Sequence, residues 1–203
     1  MRGLAGVITA FVLPALLASR DGDPRGGWSL LRTERDGITV ESRAAAGTAM
    51  PELRVTTKAK HPPLELLESA WALRGDGMQT RYLVERTVLS SEASERVLLL
   101  RYAPPAISER AVALRELRWR DPKTGAASMT FNQLHAHPSA RAAGTPFAHL
   151  RGHWSFEPNT EGTQVVYTVL IDVGGVPAVL ARSAQERAAV DTVREVVARA
   201  HRP

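Results

Sequence analysis

Residues 151–200 read RGHWSFEPNT EGTQVVYTVL IDVGGVPAVL ARSAQERAAV DTVREVVARA. Side chains two apart on a strand face the same way. On that parity Val165, Tyr167, Val169 and Ile171 form an unbroken apolar row, whereas Val166, Thr168, Leu170 and Asp172 are mixed. In the segment before it, Trp154 and Phe156 oppose His153, Ser155 and Glu157, and Asn159 to Gly162 supplies the turn that joins the two strands. After Gly174-Gly175, Pro177 stands where a first helical turn tolerates proline, and no further glycine or proline interrupts the chain to Ala200. The predicted helix of about 24 residues is about 35 Å long. Its apolar stripe comprises Val179, Ala189, Val190, Val193, Val196 and Val197, with arginines and glutamates on the rest. A long amphipathic helix of this kind needs an apolar surface to cover.

Upstream, the same alternation recurs between turns. Asp36-Gly37 separates Leu30-Leu31 from Ile38-Thr39-Val40, and Leu53 to Lys60 alternates apolar with polar. Pro62-Pro63 opens a short amphipathic helix over Leu64 to Leu73, which Gly75-Asp76-Gly77 stops. Strand-length pieces follow at Tyr82 to Leu89, Arg96 to Tyr102, Ala111 to Arg120, Ser128 to Leu134, Gly152 to Glu157 and Thr163 to Asp172. Their short links predict antiparallel pairing, because parallel neighbours need crossovers of a dozen residues or more. Ala136 to His149 is the longest stretch without a pattern.

The whole chain has 203 residues, 44% hydrophobic and 23% charged, a globular balance that suits one domain with its own core. The absence of cysteine excludes disulfides, thiolate metal sites and a cysteine nucleophile. The net charge of +5 is spread over interspersed arginines with no clustered basic stripe, which gives no nucleic-acid footprint. Arg2 followed by the apolar run Leu4 to Ala18 and then Ser19-Arg20-Asp21 has the layout of a secretory signal. Residues 1–27 are therefore expected to be a signal peptide or membrane anchor with a short linker, and residues 28–203 the domain, periplasmic or secreted.

Two segments carry a resemblance. One is Val97-Leu98-Leu99-Leu100-Arg101-Tyr102-Ala103-Pro104-Pro105-Ala106-Ile107-Ser108-Glu109-Arg110; the other runs from Arg151-Gly152-His153-Trp154 through Tyr167, Ile171-Asp172 and Gly174-Gly175 to Pro177. Together they resemble the START domain, the lipid-transfer module of the helix-grip superfamily. The resemblance implies an α+β helix-grip fold, a curved antiparallel β-sheet wrapped around the long C-terminal helix with an internal hydrophobic cavity. It also implies a monomer that carries a lipid-like ligand without catalysis or cofactor, makes transient contact with a membrane surface, and hinges at the loop Val173 to Val176. The chain departs from the family pattern in having Arg110-Ala111 where Arg-Asp is usual, and only Val176 between the glycine pair and the proline. Cholesterol-binding relatives often place an acid and an arginine in the cavity. Alignment puts Val97 and Glu116 at those places, so the polar pair is not expected here.

On this reading the ligand-binding candidates are the apolar rows: Met129, Phe131, Trp154, Phe156, Val165, Tyr167, Val169 and Ile171 from the strands, and Val190 and Val193 from the helix. Arg101 and Arg115, each interrupting an apolar strand, are candidate polar handles, with a surface ion pair as the competing role. The same apolar rows would equally pack a solid sandwich. Aromatases and cyclases of the helix-grip superfamily use such a cavity for chemistry, which here would require an inward acid or base such as His153, Tyr167 or Arg115. His135-Ala136-His137 and the spacing of His149 and His153 lack the carboxylates and HExxH arrangement of a metal site.

Overall fold

The computed structural model describes residues 27–72, 83–103 and 108–200. The expected signal segment, the Gly75–Gly77 stop and Pro104 to Ile107 lie outside them. Among the described residues ten strands and three helices follow in the order β1 Ser29–Thr33, β2 Thr39–Arg43, β3 Glu52–Ala59, α1 Pro63–Trp71, β4 Leu83–Ser91, β5 Glu95–Tyr102, β6 Arg110–Arg120, β7 Ala127–Gln133, α2 Pro138–Ala143, β8 Thr145–Pro146, β9 His149–Asn159, β10 Gly162–Asp172 and α3 Ala178–Arg199. The fold class is α+β, and the predicted elements return at their places within about three residues, β9 beginning at His149 rather than Gly152 and β2 running on to Arg43. The exception is the patternless loop, which holds α2 and β8. Helix α2 is started by Pro138 in its first turn and by His137, whose ring accepts from the Ser139 amide.

One sheet runs in the order β1-β2-β3-β10-β9-β7-β6-β5-β4, antiparallel along this path, with β8 joining β6 in parallel. The last strand therefore inserts beside the third. In that register Val165 faces Phe156 and Tyr167 faces Trp154 across β9, while Val165 and Tyr167 face Thr57 and Val55 across β3. The inner rows bury Leu53, Val55, Leu98, Val112, Leu114, Met129, Trp154, Phe156, Val165 and Val169 in one core.

Two helices cover the concave face. Helix α1 packs on β6, β7 and β9, and α3 on β3 and β10; the two are tied where Ser69 Oγ donates to the Val196 carbonyl. Helix α3 is also clamped to the β1–β2 end: Arg32 pairs with Glu186, and Arg194 with Asp36 at 2.8 Å. The helix layer thus lies over one half of the sheet, with β4 and β5 beyond its main contacts. Val179 does not join the buried stripe. It is 79% exposed and Leu180 69%, because the first turn of α3 overhangs the sheet rather than lying on it. On the convex face, Ala140 of α2 packs with Leu99 and Ala113 in a small second cluster.

Candidate functional site

The predicted apolar rows do converge on the concave face, and their packing is tight. Trp154, Phe156, Val165, Tyr167, Val169, Val190 and Val193 are at most 2% exposed, and Met129 is 3%. Trp154 stacks on Tyr167 with ring centres 4.1 Å apart and on Phe156 at 5.7 Å. A side chain with no open surface borders no water-sized space. These residues are the floor and pillar of the core, and a ligand would reach them only by parting it. Phe131 and Ile171, at the margin of the cluster, retain more open surface. Phe131 owes its place to Gly152: a Cβ there would lie 2.2 Å from the Phe131 ring and 2.6 Å from the Thr168 carbonyl.

Open surface collects elsewhere on the concave face, at β4 and the end of β5. Leu83 stands opposite Tyr102, Arg86 opposite Leu100, and Val88 opposite Leu98. All share the inner face, since Leu98 and Leu100 belong to the main core. Val88 is 49% exposed, and Leu83, Arg86 and Tyr102 are half-buried. Tyr102 sets its ring edge-on to Phe147, centres 5.4 Å apart. Burial pushes its phenol well above the ordinary tyrosine range, and the Glu116 carboxylate adds to the effect while Arg86 opposes it. Among the described residues no group hydrogen-bonds its hydroxyl.

The polar handles require correction. Arg101 and Arg115 point to the convex face, on the parity of Leu99 and Ala113. Arg101 pairs with Glu85 at 2.5 Å and Glu109 at 2.7 Å, and Arg115 makes a two-pronged contact with Glu95, 2.8 Å on each prong. These are surface ion pairs. Of the two aligned positions Glu116 does face the concave side, and its partner is Arg96, one residue before Val97 and directly opposite. Its Nε donates to Glu116 Oε2 at 2.5 Å, its terminal nitrogen donates to the Trp71 carbonyl at 2.6 Å, and its guanidinium lies 3.9 Å over the Trp71 ring. Both members are nearly closed off, Arg96 at 8% and Glu116 at 9% exposed. An acid and an arginine are therefore present, with the arginine on β5 and the acid on β6. Parity counted from Leu98 marks both residues as inward, a signal that an alignment starting at Val97 misses.

Of the candidate acid–base groups, His153 lies on the convex face between Thr130 and Thr168, where desolvation pulls its pKa below the ordinary value although Glu157 opposes this. Tyr167 is locked in the aromatic stack and Arg115 is outside. His149 meets the Gly47 carbonyl at 3.3 Å and His137 caps α2, so the paired histidines serve separate local contacts. Among the described residues no group of three or more metal-ligating side chains forms, and no helix is long and apolar enough to cross a membrane.

Beside the open surface of β4 and β5 stands Arg110, the cross-strand neighbour of Tyr102. This buried arginine donates to the carbonyls of Val173 at 2.8 Å and Gly174 at 3.0 Å and to Ser108 Oγ at 2.6 Å, joining the β5–β6 and β10–α3 connections. Gly174 and Gly175 both turn through positive φ, 71° and 70°, to start α3. A separate groove of about 350 Å³ lies between β1–β2, the segment that follows β2 and the start of α3, with Ser29, Ser42, Met50, Arg182 and Glu186 in its lining.

Comparison with known proteins supports the fold. A family model described as polyketide cyclase / dehydrase and lipid transport matches residues 114–197. No curated protein matches the sequence. Among solved structures, the STAR-related lipid transfer protein of Xanthomonas axonopodis is 19% identical with a TM-score of 0.68, covering 87% of this chain and 99% of its own. The human StarD13 (DLC2) lipid transfer and protein localization domain is 13% identical with a TM-score of 0.70, covering 87% and 90%. Human StAR-related lipid transfer protein 5 is 18% identical with a TM-score of 0.64, covering 90% of each chain.

Proposed function

We propose that this START-like helix-grip domain is a non-catalytic carrier that shelters a lipid or other hydrophobic small molecule on the concave face of its sheet. The observation that carries the reading is the unevenly covered inner face: apolar side chains at Leu83, Val88 and Tyr102 stay partly open beside the buried Arg96–Glu116 pair. Apolar contact there is worth roughly 25 cal/mol for each Å² removed from water, enough over an acyl chain or ring system to draw a molecule out of a bilayer. The outward placement of His153 and Arg115 speaks against the cyclase alternative that the family model also covers.

Delivery requires membrane contact, and the overhanging first turn of α3 supplies adjacent exposed Val179 and Leu180 next to the Gly174-Gly175 hinge. The apolar run Leu4 to Ala18 favours export, to the periplasm or beyond. The test is native mass spectrometry of protein purified from cells, followed by organic extraction. The carrier reading expects a co-purifying hydrophobic molecule, or uptake of added fluorescent lipid with one molecule per chain. Protein that is ligand-free and also takes up no lipid would overturn it in favour of a filled interaction module.

A further inference from the structure

We propose that the groove between β1–β2 and the start of α3 is a docking site for the phosphate of a phospholipid headgroup at a bilayer surface. The proposal rests on the carrier reading, in which the protein must meet a membrane, and it names the residues and the chemistry of that meeting. Three observations lead there. First, the groove is a shaped space of about 350 Å³, apart from both the aromatic core and the β4–β5 surface. Ser29 stands opposite Ser42 across the first hairpin, and Ser42 also stands opposite the core residue Leu53, so both hydroxyls lie on the side of the sheet that α3 covers. Arg182 and Glu186, four residues apart on α3, close the groove from the helix side.

Second, the donors of this lining are uncommitted. Arg182 has no carboxylate partner among the described residues; one terminal nitrogen donates to the Ala49 carbonyl at 3.1 Å, which anchors the guanidinium at the groove and leaves its other two nitrogens available. Neither the Ser29 nor the Ser42 hydroxyl bonds to another group among the described residues. The remaining charges of the lining are compensated, Arg43 by Glu52 and Glu186 by Arg32, and Thr48 is engaged with Asp172. What is left is one positive charge and two free hydroxyls, a donor set that suits the oxygens of a phosphate. Third, the rim is apolar. Leu31, 44% exposed, lines the groove from β1, and Val179, 79% exposed, shares the helix face of Arg182 and Glu186. A free phosphate ester gains nothing from such a rim, whereas a bilayer presents phosphate and acyl chain at one surface.

The experiment measures sedimentation of the chain with vesicles of mixed phosphatidylcholine and phosphatidylglycerol. The variants are Arg182→Gln, Ser29→Ala combined with Ser42→Ala, which leaves the charge unchanged, and Arg187→Gln, an exposed arginine of the same helix outside the groove. Thermal melts check that all are folded alike, and uptake of a fluorescent lipid without vesicles reads cargo binding separately. Arg182→Gln should lower the partition coefficient about thirtyfold and the serine pair about tenfold, whereas Arg187→Gln should lower it by no more than about fivefold, the worth of a diffusely attracted surface charge. Equal losses in the two arginine variants, or a serine pair that sediments like the wild type, would overturn the site in favour of diffuse attraction. Glycerol 3-phosphate separates the sources: if the wild type retains it in equilibrium dialysis yet does not sediment with vesicles, the groove takes a free phosphate ester and the membrane docking is wrong. A wild type that binds neither also overturns the proposal, and continued uptake of fluorescent lipid by that protein would leave the carrier reading standing.

Discussion

Arg96 and Glu116 show how a single residue can shape the interior. Each charge is held away from water and compensated by the other, so removing one partner strands the second. Arg96→Met or Glu116→Gln alone should lower stability by about 3–5 kcal/mol, whereas the double change Arg96→Met with Glu116→Leu should cost much less. Urea denaturation of the three variants checks this, and additive losses would show that the two charges are not coupled. Gly152 is constrained by space rather than by charge. A methyl group there must displace the Phe131 ring, so Gly152→Ala should destabilise by about 1–3 kcal/mol, and Phe131→Leu in the same chain should recover part of the loss. His153 gives a pH signature. Its folded-state pKa lies below the ordinary 6.5, so on acidification the unfolded chain takes up this proton first. Stability from this group is complete above 6.5, falls as the pH drops through 6.5, and levels off below the folded-state value. In His153→Gln that slope should vanish from a series of melts across the range.

At the scale of elements, α3 has two parts with different tasks. The half carrying Ala189, Val190, Val193 and Val196 is buried in the core, while the first turn projects Val179 and Leu180. Val179→Asp with Leu180→Asp should leave the melting temperature nearly unchanged and abolish sedimentation with phospholipid vesicles; unchanged sedimentation would place the membrane contact elsewhere. Ahead of that turn, Arg110 clips the Val173 and Gly174 carbonyls to the strand that begins beside it. Arg110→Met removes those bonds without removing bulk. The amides of residues 174–176 should then exchange with deuterium faster than in the wild type while those of β9 and β10 do not.

For the whole molecule, the off-centre position of the helix layer decides the behaviour. With α1 and α3 over β3, β10, β9, β7 and β6, the β4–β5 side of the grip is left less covered. Ligand that binds only the folded state should raise stability by about 2.7 kcal/mol at a hundredfold excess over its Kd. The accompanying loss of amide exchange should concentrate in β4 and β5; protection spread evenly over β9 and β10 instead would mean that the aromatic core opens to admit the ligand.

The alternating rows of residues 151–172 and the uninterrupted amphipathic run after Pro177 were enough to define the last hairpin, its inner and outer faces and the helix behind it, because strand parity and helical periodicity are local properties. What parity leaves open is which inward residues are closed off by neighbours. Val165 and Val88 carry the same side chain on the same concave face, yet one is fully enclosed and the other half open. The difference is set by where α1 and α3 settle across strands distant in sequence. The same holds for Arg96, whose partner lies on β6 and whose third contact is the last residue of α1. Burial and pairing of this kind belong to the packed molecule, and only the tertiary structure assigns them.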